Sequence, residues 1–313
     1  MDSRGNTHRT GIVVASLALS ACGGGGGAIN STPPPPTFAY TKIADTTGTR
    51  NFDSASTSLL PLGGPPATTP TRKFGEGVKI TYDATAGTYA LQIDGTSQTF
   101  GPSDLDPAST PQMRRYRAAL DNALLTIVTP NPGGVDLSYT RIASWAKVGL
   151  GQVNQRLAVF GAPTQAGDMP RTGSANYSRI AVDGVLHSSS GGISTLETST
   201  GSFTANFASG SIQTELNLKG TSTPMVGPLG GGTPISLSSI GTIASGTSGT
   251  IAPGGSGFDG SFANTSPAGG VSGSFTGSFF GPQAAEFGYV FQLTGATSEL
   301  GFISSYGTVT GAK

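Results

Sequence analysis

The chain has 313 residues, with Lys+Arg 17 balancing Asp+Glu 17 and charged residues at only 11%. Gly 49, Pro 21, Ser 37 and Thr 40 fill 147 positions, which excludes a coiled coil or a helical repeat, and the single Cys excludes a disulfide scaffold. The charge balance excludes a nucleic-acid binder, and the irregular glycine spacing excludes collagen, leaving a Gly-rich all-β protein or a low-complexity chain.

Arg4, His8 and Arg9 form a basic start, followed by a short apolar stretch at 11–20 (GIVVASLALS). Its length suits the core of a signal peptide and falls short of the roughly 20 residues a spanning helix needs. It runs into Leu19, Ser20, Ala21 and Cys22, the pattern of a bacterial lipobox. There a thiol takes the lipid and small side chains fit the peptidase. Residues 1–21 are therefore expected to be a lipoprotein signal peptide, and Cys22 the lipidated first residue of an exported protein. Acyl chains hold a protein to the membrane by apolar burial, about 0.8 kcal/mol per CH₂. Gly23, rather than Asp, follows the Cys, which points to the outer membrane. Residues 22–37 combine a run of five glycines with a run of four prolines, a flexible and a stiff spacer in series.

Residues 38–137 read as a β-rich N-terminal region. The stretch 61–70 (PLGGPPATTP) is a loop. Residues 78–82 and 88–93 alternate, and Asp94-Gly95 is a hairpin signal before 96–100, giving a three-strand meander. Thr110-Pro111 predicts a helix start, with Pro at the first helical position and a helix through 112–121. Residues 124–128 read as a strand.

From residue 138 onward the β signal is more regular. Residues 138–148 and 156–161 are apolar runs. In 201–207 (GSFTANF) and 273–279 (GSFTGSF) the phenylalanines and glycines share one face, with Ser and Thr on the other. Phe258 and Phe262 bracket Gly260 in the same way. Period-two alternation marks half-buried strands, and the interleaved glycines leave room for rings from neighbouring strands. Strands of about seven residues are shorter than the roughly 9–11 of a spanning strand, which favours a lipid-tethered barrel outside the bilayer with Phe inward.

Residues 277–291 (GSFFGPQAAEFGYVF) resemble a signature of the transferrin-binding protein B-like β-barrel family, G-x-F-Y-G-P-x-A-x-E-L-G-G-x-F. Residues 169–177 are similar to that family's P-x-x-G-x-A-x-Y segment, and 139–145 to the tyrosine-to-tryptophan strand that opens its barrel. The Cys-Gly tether is also typical of these lipoproteins. Phe280, Phe287 and Tyr289 depart from the pattern, and the chain's last residues lack the family's final motif. The resemblance implies an all-β protein whose C-terminal part, 138–313, is an eight-stranded up-and-down antiparallel barrel behind a smaller handle-like region. It implies a surface or outer-membrane binding lipoprotein for a protein or solute ligand, in a family linked to iron or haem acquisition. A structural or adhesive surface lipoprotein is the alternative. The motif residues Gly281, Pro282, Ala284 and Glu286 are expected to be structural, with Pro282 breaking the ladder and Glu286 capping the 281–284 turn.

Nothing in the chain assembles a catalytic set, and no cofactor is expected. His187, the only His after Cys22, is followed by SSSGG and reads as a hairpin-loop residue without a triad. Asp104 and Asp106 lack the longer acidic series of a calcium loop. His187 or Tyr177 are the residues that could ligate haem at the barrel mouth. Arg114, Arg115 and Arg117 form the densest basic cluster. Recognition is expected on the loops 164–170, 187–192, 221–233 and 265–270, because a rigid frame presents ligand contacts on its connections.

Overall fold

A computed structural model describes residues 38–59, 71–149, 152–189, 192–219, 221–222, 247–263, 270–297 and 301–313. The expected signal peptide, Cys22, the tether and the 61–70 loop lie outside these residues. The chain opens with β1 (Thr49–Phe52) and β2 (Ser54–Leu59), then β3 (Lys79–Asp83), β4 (Thr88–Ile93) and β5 (Thr96–Phe100). Next come β6 (Met113–Ala118), β7 (Ala123–Val128), β8 (Thr140–Gly149) and β9 (Gln152–Gly161). After them run β10 (Ser174–Asn176), β11 (Arg179–Ser188), β12 (Gly192–Thr195), β13 (Thr200–Asn206), β14 (Ser211–Asn217) and β15 (Thr221–Ser222). The last strands are β16 (Thr247–Ile251), β17 (Gly257–Ala263), β18 (Val271–Phe280), β19 (Glu286–Thr297) and β20 (Gly301–Ala312). The fold is all-β: among the described residues, helix occurs only as three-residue 3-10 turns.

The strands form three sheets. One is four-stranded, β1-β3-β4-β5, and one five-stranded, β2-β9-β8-β7-β6. The third has eleven strands, in the order β10-β13-β14-β16-β17-β18-β19-β20-β11-β12-β15. The expected meander is β3-β4-β5, and its second turn has Asp94 and Gly95 at φ 48° and 82°. Two left-handed residues give the type I′ turn whose twist matches a two-residue hairpin.

Two expectations change, and a third is met only in part. Residues 112–121 do not form a helix. Residues 113–118 are strand β6, followed by a 3-10 turn at Ala119–Asp121. Tyr116 and Ala118 alternate into the core and β6 pairs along β7, so sheet packing overrides the local helix signal. Residues 139–145 do not open the large sheet: β8 pairs with β7 and β9, so the chain crosses to the large sheet only after Gly161. Nor do eight strands form a continuous hydrogen-bonded ring among the described residues. The ladder is open, with β10 at one margin and β15 at the other. Tyr177 and Ser178 interrupt the pairing between the three-residue β10 and β11.

The five-stranded sheet is the middle layer, and its two faces follow from strand alternation. One face carries Tyr116, Leu125, Ile127, Ala143 and Phe160 against Phe52, Ile80, Leu91 and Phe100 of the four-stranded sheet. The other carries Ala55, Ile142, Leu157 and Val159 against Phe280, Val290 and Tyr306 of the large sheet. Asp94 in the β4–β5 turn pairs with Arg156 of β9 and with Arg72, tying the meander to the middle sheet.

The opposite face of the large sheet holds the largest core, in which Phe203, Phe275, Phe279, Phe287, Tyr289 and Phe291 are all 0% exposed. Burying each ring stabilises the fold by about 1.5–3 kcal/mol. Phe203 and Phe287 stack with ring centroids 3.9 Å apart and planes 7° from parallel. Glycine makes room for these rings: a Cβ at Gly249 would lie 2.7 Å from Cζ of Phe275.

Gly249→Val is therefore expected to overpack this core and lower unfolding free energy by about 1–3 kcal/mol, read from the denaturant midpoint. Asp94→Asn should cost about 1 kcal/mol or less at pH 7, since Asp94 and Arg72 are about half exposed to screening solvent. Hydrogen bonding from Arg156 holds the Asp94 carboxyl below its usual range. A depressed folded-state pKa stabilises above the unfolded-state pKa and is lost on acidification, so the two proteins should converge as pH falls through that depressed pKa.

Candidate functional site

The segment carrying the family-like motif sits where three parts of the fold meet. Gly281, Gln283 and Ala284 all have positive φ, at 70°, 52° and 53°. The left-handed region costs a non-glycine residue of order 1 kcal/mol, so Gln283 and Ala284 need outside support. They receive it from several directions. The Tyr177 hydroxyl donates to Ala284 O at 2.7 Å, and Thr164 Oγ1 donates to Gly281 O at 2.7 Å. Lys313 Nζ donates to Gln283 O. Pro282 begins the 3-10 turn Pro282–Ala284 between β18 and β19.

Two buried carboxylates complete the junction. Asp168 accepts from the Tyr40 hydroxyl at 2.8 Å, from the Gln283 main-chain N–H at 3.0 Å and from the Gln283 side-chain amide. Burial opposes its ionisation, but these donors outweigh burial and hold the carboxyl below the usual Asp range. Burial, together with the neighbouring Asp168, pushes the Tyr40 hydroxyl up to about 12.

Glu286 turns away from the 281–284 turn it was expected to cap. Its Oε1 accepts from Ser138 N at 2.7 Å, while Oε2 accepts from Tyr139 N at 3.0 Å and Thr140 Oγ1 at 2.9 Å. The cause is its place on β19. Glu286 leads the strand, and alternation sends its side chain to the face occupied by Phe280 and Val290, toward the middle sheet. Burial raises the Glu286 pKa, opposed by these three donors and by nearby Arg141. Arg141, 8% exposed, donates from Nη1 to Leu137 O and Thr140 O, both at 2.7 Å, closing the same corner. Sequence reading did not single out Asp168, Tyr40 or Arg141, because their partners lie 115 or more residues away or on main-chain atoms.

The residues considered for ligand chemistry do not come together. His187 is a strand residue of β11, not a loop residue, paired with Ser304 and Ile193. Leu186 belongs to the aromatic core, so His187 faces the other way and stacks on Tyr306 at 6.5 Å. Burial lowers its pKa. Tyr177 lies in the core with its hydroxyl engaged by Ala284. Neither offers a free haem ligand within the aromatic face. Asp104 accepts from Gly101 N at 2.9 Å and Asp106 from Ala108 N at 2.8 Å, so each caps its own turn. Arg114, Arg115 and Arg117 lie exposed on β6, the marginal strand of the middle sheet.

The ladders sort the expected recognition loops by position. Pairs such as Asn206↔Ser211, Ile251↔Phe258 and Phe280↔Glu286 set the short turns at one end of the large sheet. Residues 164–170 lie at this end, where Thr164 N donates to Phe279 O at 2.9 Å. Ser188↔Gly192, Ala263↔Ser272 and Thr297↔Gly301 mark the opposite end. The loops 187–192, 221–233 and 265–270 start or finish there. Most of their residues lie outside the described ones.

No protein-family model and no curated protein matches the chain. Among solved structures it is similar to a point mutant of transferrin binding protein B, a vaccine antigen from Haemophilus parasuis Hp5. That match has a TM-score of 0.46 and 18% identity over 84% of this chain and 45% of the other. The isotype 1 transferrin binding protein B of serogroup B Neisseria meningitidis matches with a TM-score of 0.46 and 15% identity, over 83% and 43%. The chain spans less than half the length of these two proteins.

Removing the Glu286 carboxylate should strand three donors at the junction. Glu286→Ala is expected to lower stability by about 3 kcal/mol. Glu286→Gln should fall between wild type and Ala, because its amide oxygen can still accept while its N–H₂ would meet a donor where a carboxylate oxygen now accepts. Thermal melting of the three proteins gives the order.

Proposed function

We propose that the protein is a non-catalytic binding lipoprotein, anchored by Cys22 in the outer membrane and displayed at the cell surface, that recognises a protein ligand. The observation that carries this reading is the packed aromatic face of the large sheet. Its rings are closed against one another, with Phe203, Phe279, Phe287 and Tyr289 fully buried. A filled interior suits a rigid frame that recognises its ligand on connections at its ends, rather than one that carries a solute inside. In this reading β10 and β11 act as one bent strand. Only Tyr177 and Ser178 separate them, and Tyr177 N donates to Phe203 O of β13 at 3.1 Å. That strand, together with β13, β14, β16, β17, β18, β19 and β20, makes an eight-stranded barrel, and the four- and five-stranded sheets are its handle.

The lipobox at 19–22 and the Gly/Pro spacer supply the membrane part of the proposal. The likeness to proteins named for binding transferrin agrees with a protein ligand, without making transferrin the ligand here. The link to iron or haem acquisition is the narrower part of the reading, and among the described residues neither His187 nor Tyr177 is free to ligate haem at the aromatic face.

Cys22→Ala should move the protein from the detergent-soluble membrane fraction to the soluble fraction, and protease added to intact cells should cleave the wild-type protein. Retention of the variant in membranes, or protection of the wild type, would overturn the anchoring or the display respectively. Haem titration of the purified chain should leave the Soret band unshifted; a saturable shift would replace the protein ligand with haem.

A further inference from the structure

At the end of the large sheet that carries the short turns, a cleft of about 420 Å³ opens between residues 166–171, the β13–β14 turn and the β16–β17 turn. Its volume lies in the range of small-molecule sites, roughly 300–1,000 Å³. Met169, Phe207 and Ile251 supply apolar wall. They are half-buried and rest on the aromatic core, with the Phe207 ring 5.5 Å from that of Phe279. Pro170 and Pro253 extend the wall outward. The cleft is thus a place where the core reaches solvent.

Its charge is one-sided. Arg171 lines the cleft and is exposed. Lys313 Nζ lies 5.7 Å above the Phe207 ring and 5.9 Å above that of Tyr177. The ion pairs of the described residues join Arg72, Lys73, Lys79 and Arg156 to Asp53, Asp94 and Asp259, and include neither Arg171 nor Lys313. Asp168, the carboxylate on the same loop, is buried and engaged by Tyr40 and Gln283. A cleft with an apolar wall of Met169, Phe207 and Ile251, with Arg171 in its lining, Lys313 over the Phe207 ring and its nearest loop carboxylate withdrawn, is complementary to a molecule with an apolar body and an anionic head. An arginine at the mouth matches a carboxylate through two parallel N–H···O bonds.

We propose that this cleft binds a small anionic amphiphile of the medium-chain carboxylate class. The hydrocarbon lies against Met169, Phe207 and Ile251, and the carboxylate meets Arg171, with Lys313 adding positive charge. The site is separate from the loops at the opposite end of the sheet and depends on neither the lipid anchor nor a protein partner.

The test is a titration of the purified chain with 11-(dansylamino)undecanoate, followed by dansyl fluorescence, with decanoate and decanol as competitors. A saturable rise in fluorescence, displaced by decanoate at least tenfold better than by decanol, is expected. Arg171→Gln should weaken decanoate binding at least tenfold and leave decanol unchanged. Ala252→Trp, which places an indole at the exposed rim, should abolish probe binding with an unchanged melting temperature. Absence of the fluorescence rise, equal displacement by acid and alcohol, or retention of wild-type affinity in either variant would overturn the proposal.

Discussion

A buried carboxylate joins the large sheet to the middle one. Glu286 accepts three hydrogen bonds from consecutive residues 138–140, just where the chain enters β8. Main-chain N–H groups at a strand start have no ladder partner of their own, and left dry they would cost as much as lost hydrogen bonds. Glu286 supplies the acceptors, and Arg141 satisfies the carbonyls of Leu137 and Thr140 beside it. The corner thus keeps a buried carboxylate and a buried guanidinium hydrogen-bonded to the chain around them. Around it the apolar contacts of Val159, Phe280 and Val290 can close without stranding a donor.

The rest of the architecture follows from alternation about that corner. On β19, Glu286 and Val290 face the middle sheet, while Phe287, Tyr289, Phe291 and Leu293 face the aromatic core. One strand thereby serves two unlike interfaces, one mixed and one apolar. The Gly-rich composition is what allows large rings to crowd one face. Gly249 supplies space where Phe275 would otherwise meet a Cβ, so small residues and aromatics are complementary parts of the same packing.

Much of this was legible in the sequence wherever a local pattern decides the outcome. Asp94-Gly95 announced its hairpin, and the Phe–Gly alternation in 201–207 and 273–279 announced strands with one apolar face. Long-range pairing was not legible. Residues 112–121 have a Pro-led start and Arg, Ala and Leu suited to a helix, but the ladder with β7 and the burial of Tyr116 make residues 113–118 a strand. Residues 139–145 fit the opening strand of a barrel equally well as a strand of the middle sheet, since alternation does not say which neighbour is paired. Glu286 stood out by residue type beside Gly281-Pro282. Its direction depended on strand parity across a turn whose Gln283 and Ala284 adopt left-handed backbone that no glycine flags.

The separation of partners along the chain has a consequence for folding. β2 pairs with β9 about a hundred residues later, and the donors of 138–140 wait for Glu286 a further 125 residues beyond the end of β9. Closing such long loops before any contact rewards them makes β-rich topologies slow to fold. As the chain grows from its N-terminus, the middle sheet can form one face against the meander, but its other face has no cover until β18, β19 and β20 arrive. The last strands therefore act as the closing step for the whole molecule, and a chain stopped short of Glu286 presents an uncovered sheet face as an open surface for aggregation.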